Sequence, residues 1–76
     1  MEHENFERSL RAFVKRKPFE AFWIRFVDGS AVSVDHPEAV AMRGGVAVYF
    51  SPAGEITLLD HRGVSQLTNS TNAASA

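Results

Sequence analysis

The chain contains no cysteine in 76 residues. No disulfide framework and no thiolate metal site can therefore reinforce it. It also lacks a charge excess. Eight Lys and Arg stand against nine Asp and Glu, a formal net charge of −1, so bulk charge does not mark a nucleic-acid or membrane-surface protein. No apolar run approaches the roughly 20 residues of a membrane span. The start, Met1-Glu2-His3-Glu4, is polar and acidic, unlike a secretory signal. These absences lead to the expectation of a cytoplasmic protein with no membrane association. Asn69-Ser70-Thr71 fits a glycosylation sequon, but without a secretory signal it carries no meaning. No internal repeat is present.

What remains is a short chain that must hold itself together by packing. Its length fits one domain, and a domain of this size buries only about 60% of its unfolded surface. Six phenylalanines are high usage for such a chain. Aromatic packing, sheet closure and self-association are the available sources of stability.

Phe6, Leu10, Phe13 and Val14 recur at i, i+4, i+7, i+8, one apolar stripe on a helix. Asn5 suits an N-cap, Glu7 the first turn, and Lys15, Arg16 and Lys17 the last turn. Pro18 stops the helix and biases Lys17 toward an extended backbone. The predicted helix covers about residues 5 to 16.

From Phe19 the period becomes two. Phe22, Ile24 and Phe26 point one way; Ala21, Trp23, Arg25 and Val27 point the other. Asp28-Gly29 predicts a hairpin, with Ala31 to Asp35 as the partner strand and Val32 and Val34 facing the core. His36-Pro37 breaks or bends that strand. Residues 39 to 42 fit a helical turn or a short strand, and Gly44-Gly45 favours the strand and a tight turn. Val46 to Phe50 and Ile56 to Leu59 predict strands around a Ser51-Pro52-Ala53-Gly54 turn. Arg62-Gly63 marks a corner, and Val64 to Leu67 a last short strand. Phe22, Ile24, Phe26, Val32, Val34, Val46 and Val48 are the expected core.

One helix and five or six short strands with short connections need a sheet that curls over its own face and edges. The expected fold is mainly β: an N-terminal α-helix followed by a five-stranded SH3-like or Sm-like small barrel, spanning residues 1–68. Residues 69–76 are small and polar without a hydrophobic period, and are expected to form a disordered tail.

Two resemblances attach to these residues. Phe6-x-x-x-Leu10-Arg11, the basic stretch through Lys17-Pro18 and Ile24-x-x-Val27-x-Gly29 resemble the opening of the bacterial Sm-like RNA chaperones of the Hfq family. Ile56 to Leu67, with Asp60-His61-Arg62-Gly63-Val64-Ser65, resembles that family's last two strands, which flank a Lys-His pair. The resemblance implies a ring in which edge strands of neighbours pair, with His61 at a pore that binds uridine-rich RNA ends. Lys15, Arg16 and Lys17 match the basic outer edge. Asp60 stands where that family has lysine, and the glutamine of its helix has no counterpart here. Separately, Lys17-Pro18-Phe19-x-x-Phe22-x-Ile24, Asp28-Gly29 and Val34-x-His36-Pro37-Glu38 are similar to a pattern in short uncharacterised bacterial proteins.

Three constellations could carry chemistry. Arg8, Arg11 and Lys15 lie at i, i+3, i+7 and form a positive ridge for phosphates, or simply a solvated face with a Glu7–Arg11 pair. Trp23 beside Arg25 makes a stacking platform for a base or a proline, or Trp23 packs under the helix. Asp35, His36 and Glu38, with Asp60 and His61, carry metal-donor and acid–base side chains, but their spacing matches no metal motif. There is no Ser-elbow and no P-loop. An enzyme would need a pocket of a few hundred Å3, roughly.

The sequence thus points to a non-enzymatic binding module without cofactor or metal, forming a homo-oligomer. Its expected function is Sm-like binding of single-stranded RNA through Arg8, Arg11, Lys15, Arg16, Lys17, Trp23, Arg25, His61 and Arg62. The alternative is a protein-interaction or scaffolding module that adds a peptide partner's strand at an open edge.

Overall fold

Apolar residues spaced every three to four positions build the first element, and alternating ones build the rest. The computed structural model describes residues 1–69. It consists of helix α1 (His3–Val14) and strands β1 (Phe22–Phe26), β2 (Ala31–Val34), β3 (Val40–Arg43), β4 (Val46–Phe50), β5 (Ile56–Asp60) and β6 (Val64–Asn69). Two 3-10 turns, Pro37–Ala39 and His61–Gly63, link β2 to β3 and β5 to β6.

The helix begins earlier than the spacing predicts. Glu2, not Asn5, is the N-cap, and its side chain accepts the Asn5 N–H at 3.3 Å. A carboxylate there also meets the positive end of the helix. The helix ends at Val14, where the Lys15 N–H still bonds the Arg11 carbonyl at 3.0 Å. Lys15, Arg16 and Lys17 therefore lie just past the last turn rather than in it. Phe6 and Leu10 are fully buried, and Phe13 and Val14 pack at the margin of the core.

The strands form two antiparallel sheets, ordered β2-β1-β6 and β3-β4-β5. Among the described residues no strand of one sheet pairs with a strand of the other, so the sheets do not close into a barrel. Six strands replace the expected five because the chain breaks at His36-Pro37. Proline lacks the N–H that a continuous strand would need, and a 3-10 turn follows from Pro37. The hairpin at Asp28-Gly29 forms as predicted, with Gly29 at φ +94° and Phe22 opposite Val34. Asn69 belongs to β6 and pairs with Phe22. The rest of the expected tail, 70–76, lies outside the described residues.

One core joins both sheets and the helix: Phe6, Leu10, Phe22, Ile24, Val34, Val40, Ala47, Tyr49, Leu59 and Val64. The register of β1 and β2 is as predicted. That of β4 is inverted. Ala47 and Tyr49 face inward, while Val46 is exposed and Val48 only half-buried. Tyr49 explains the choice. Its ring is buried, and its hydroxyl donates to the Ser33 carbonyl at 2.9 Å, linking the two sheets. A one-residue slip would turn that ring to solvent.

Candidate functional site

The helix places Arg8 and Arg11 on its outer face, and Lys15 is exposed just beyond its end. Among the described residues the Arg8 guanidinium hydrogen-bonds only to Asn5 Oδ1, at 3.4 Å. Arg11 and Lys15 border a groove whose other walls are Val14, Val40 and Met42. Lys17 is exposed. Arg16 is different. Its guanidinium lies 4.6 Å over the Phe13 ring, donates to Asn69 Oδ1 at 2.6 Å and to the Glu20 carbonyl at 3.0 Å, and pairs with the Glu20 carboxylate at 3.6 Å. These contacts make it a clasp between the helix end and β6.

Trp23 does not pack under the helix. It lies on the opposite face of its strand from Phe22 and outside the core cluster. Arg25 lies on the same face, its guanidinium carbon 5.9 Å from the Trp23 ring and its Nε donating to Thr68 Oγ1 at 3.3 Å. The indole N–H is enclosed without a partner. No hydrogen bond or ion pair among the described residues links this pair to Arg8, Arg11 or Lys15.

His61 and Arg62 are both engaged locally. The His61 ring stacks on His3, and its Nδ1 lies 3.0 Å from the Met1 carbonyl. Asp60 caps the 3-10 turn by accepting the Arg62 N–H at 2.9 Å, and its carboxylate takes the Arg62 guanidinium through two contacts of 3.1 Å. Those hydrogen bonds hold the Asp60 carboxyl well below the ordinary aspartate range and push the Arg62 guanidinium up. Asp60 is thus an internal cap and counter-ion.

Asp35, His36 and Glu38 share a cleft of about 350 Å3 with Tyr49, Phe50 and Pro52. Asp60 and His61 belong to the other turn. Among the described residues no three His, Asp or Glu side chains converge as metal donors.

The feature that the sequence pattern did not single out is the outer face of the β3-β4-β5 sheet. Leu58 is 75% exposed, Ile56 65%, Val46 48% and Phe50 42%. The pairing of Val48 with Leu58 and Phe50 with Ile56 sets these side chains in one patch. Among the described residues β5 ends the sheet, and no strand pairs with its far edge. A signal was present. Both alternating sets of β4 are apolar, as are three of the first four residues of β5, a pattern typical of strands covered on both faces.

No helix among the described residues is long and apolar enough to cross a membrane. No protein-family model, no curated protein and no solved structure matches the chain.

Proposed function

We propose that this protein is a non-enzymatic small-β interaction module that assembles with copies of itself through the β3-β4-β5 sheet. One observation carries the reading: Leu58 and Ile56, the first and third most exposed large apolar side chains among the described residues, sit on a strand with an open edge. Grouped apolar side chains on a soluble domain mark an interaction surface, and an open edge invites a further strand. A chain this short also gains the most from extra burial.

The architecture fits a small barrel of the Sm-like kind in an opened form. Joining β2 and β3 as halves of one bent strand gives the order β6-β1-β2/β3-β4-β5, a five-strand path. Such a path leaves β5 and β6 as outer strands.

Sedimentation velocity across the micromolar range tests the reading. Wild type should run heavier than a monomer at high micromolar concentration, and Leu58→Lys should shift it to the monomer without changing its circular dichroism. A wild type that stays monomeric throughout removes the proposal.

Single-stranded RNA binding is the second reading. Arg8, Arg11 and Lys15, exposed and without an ion-pair partner among the described residues, favour it. Trp23 with Arg25, and His61 with Arg62, are held on other parts of the surface.

A further inference from the structure

The register of the β3-β4-β5 sheet arranges its outer face in three rows. Arg43, Val46 and Asp60 form one; Ala41, Val48 and Leu58 the next; Phe50 and Ile56 the third. The rows are asymmetric across the sheet in two respects. Positive charge lies on β3 and negative charge on β5. The small side chain, Ala41, lies on β3 and the protruding one, Leu58, on β5. Over Ala41, Arg43, Val46 and Val48 the surface dips into a shallow hollow of about 190 Å3, with room for a leucine side chain.

We infer that this face binds the same face of a second copy, about a two-fold axis that lies between the sheets and runs parallel to β4. This inference rests on the self-assembly proposed above and specifies its geometry. A two-fold rotation of that kind lays β4 on β4 and β3 on β5 of the second copy. It keeps each row at its own height. Leu58 of each copy then enters the hollow over Ala41 of the other. Arg43 of each copy meets Asp60 of the other. Val46, Val48 and Phe50 each meet themselves along the axis.

Self-complementarity is what an isologous interface demands, and here both charge and size meet it. Arg43 has no ion-pair partner among the described residues. Asp60 already holds Arg62, but a carboxylate has about four acceptor sites and its side chain is 43% exposed. The opposite choice of axis, perpendicular to the strands, would set Phe50 and Ile56 against the charged row and leave Arg43 and Asp60 unpaired.

Edge pairing of β5 is the competing geometry. It would satisfy the outer backbone groups of β5, but the apolar face would still look into solvent. Face packing covers that patch. The footprint is small: three strands about 4.8 Å apart, each about five residues or fewer at about 3.3 Å per residue. An interface below the roughly 1,200 Å² of standard specific complexes follows, so the dimer should be weak and dissociate on dilution from the high micromolar range.

The test combines sedimentation velocity with amide hydrogen exchange on wild type, Ala41→Leu and Arg43→Asp. Ala41 and Arg43 are both exposed, so the single chain tolerates either change, and circular dichroism checks the fold. Face packing predicts a dimer and no larger species. Ala41→Leu fills the hollow and should raise the dissociation constant about tenfold or more. Arg43→Asp sets like charges together, so it should weaken the dimer at low salt, and added salt should then strengthen it. The outward amides of β5 should exchange equally fast in concentrated and dilute protein. A dimer or ring that ignores both substitutions, or whose β5 amides become protected on association, overturns the face geometry while self-assembly stands. A wild type that is monomeric throughout removes both.

Discussion

The imidazoles of His3 and His61 stack with ring centroids 5.2 Å apart and planes 27° from parallel. They join the start of α1 to the turn before β6. Gly45 lies directly against them. A Cβ there would come within 2.7 Å of His61 Cδ2 and 2.8 Å of His3 Cδ2, so contact rather than backbone conformation requires glycine at this position. The same turn bonds outward, its Gly45 carbonyl accepting the His61 N–H at 2.9 Å.

Gly45→Ala should therefore push both rings aside and lower stability by about 1–3 kcal/mol, the usual cost of overpacking. His3 is exposed and can give way. The double variant Gly45→Ala/His3→Ala should recover part of the loss in a thermal-melt cycle. A Gly45→Ala protein as stable as wild type would mean that the stack does not hold the turn.

Tyr49 supplies a second measure of the inward register of β4. Tyr49→Phe keeps the buried ring and removes the bond to the Ser33 carbonyl, at a cost of about 0.5–1.5 kcal/mol. Val46→Thr changes an exposed side chain and should stay within about 0.5 kcal/mol. Phe22→Ala empties a fully buried site and should cost about 3–5 kcal/mol. A Val46→Thr loss in urea unfolding clearly larger than that of Tyr49→Phe would place Val46, not Tyr49, on the inner face.

These residues also mark how far the sequence could be read. The helix stripe was legible because one face alone is apolar, the hairpin because Asp28-Gly29 is a turn signal, and the inward set Phe22, Ile24 and Val34 because Arg25, Ser33 and Asp35 mark the opposite face. β4 was not, because Val46-Ala47-Val48-Tyr49-Phe50 is apolar on both faces and periodicity cannot choose between them. Only the long-range bond from Tyr49 to Ser33 does. The break at His36-Pro37 was visible, but not that it would split one strand into members of two sheets. The basic segment read as uniform, yet Arg16 is clamped by Phe13, Glu20 and Asn69, while Lys17 beside it makes no such contact among the described residues. Such distinctions depend on partners up to 53 positions away.

Arg16→Gln should accordingly be destabilising, and Lys17→Gln neutral. Arg16 loses its stack on Phe13 and its bonds to Asn69 and the Glu20 carbonyl. A charged hydrogen bond contributes about 1.5–3 kcal/mol when sheltered, less where solvent reaches it. Chemical denaturation of both variants tests this, and matching midpoints would show that the clasp is inert.

The Asp60 cap predicts an acid response with a definite sign. Its folded-state pKa lies below its ordinary value of 3.8 because Arg62 donates to the carboxylate. The ionised form is favoured in the folded state, so the contribution is complete above about pH 5 and fades as pH falls through the depressed value. Asp28 behaves alike through its hydrogen bonds from Ser30. Melting temperature should fall between about pH 5 and pH 2, and fall less steeply in Asp60→Asn, which retains a capping oxygen but not the charge. Superimposable profiles for the two proteins would deny the carboxylate that role.

RNA binding makes the most restrictive prediction. The structure leaves Arg8, Arg11 and Lys15 as the exposed bases of one ridge, while Arg16 and Arg62 are already paired and the His61 ring is covered by His3. A single copy can then neutralise about three phosphates, and log affinity should change by about 2 per log unit of salt, at roughly 0.7 for each phosphate on a single strand. Copies joined in one assembly would multiply that slope by the number that engage the strand. Fluorescence anisotropy with labelled oligo(U) and oligo(A) measures it. Replacing all three bases with Gln should abolish the slope without altering the melt. Trp23→Ala should leave affinity unchanged, because that ring lies across the strand from the core side that the helix covers. Binding that survives the triple substitution but is lost in Trp23→Ala would move the site to the outer face of β1. Absence of binding to either oligomer at low salt would end the RNA reading and leave the apolar sheet face as the functional surface.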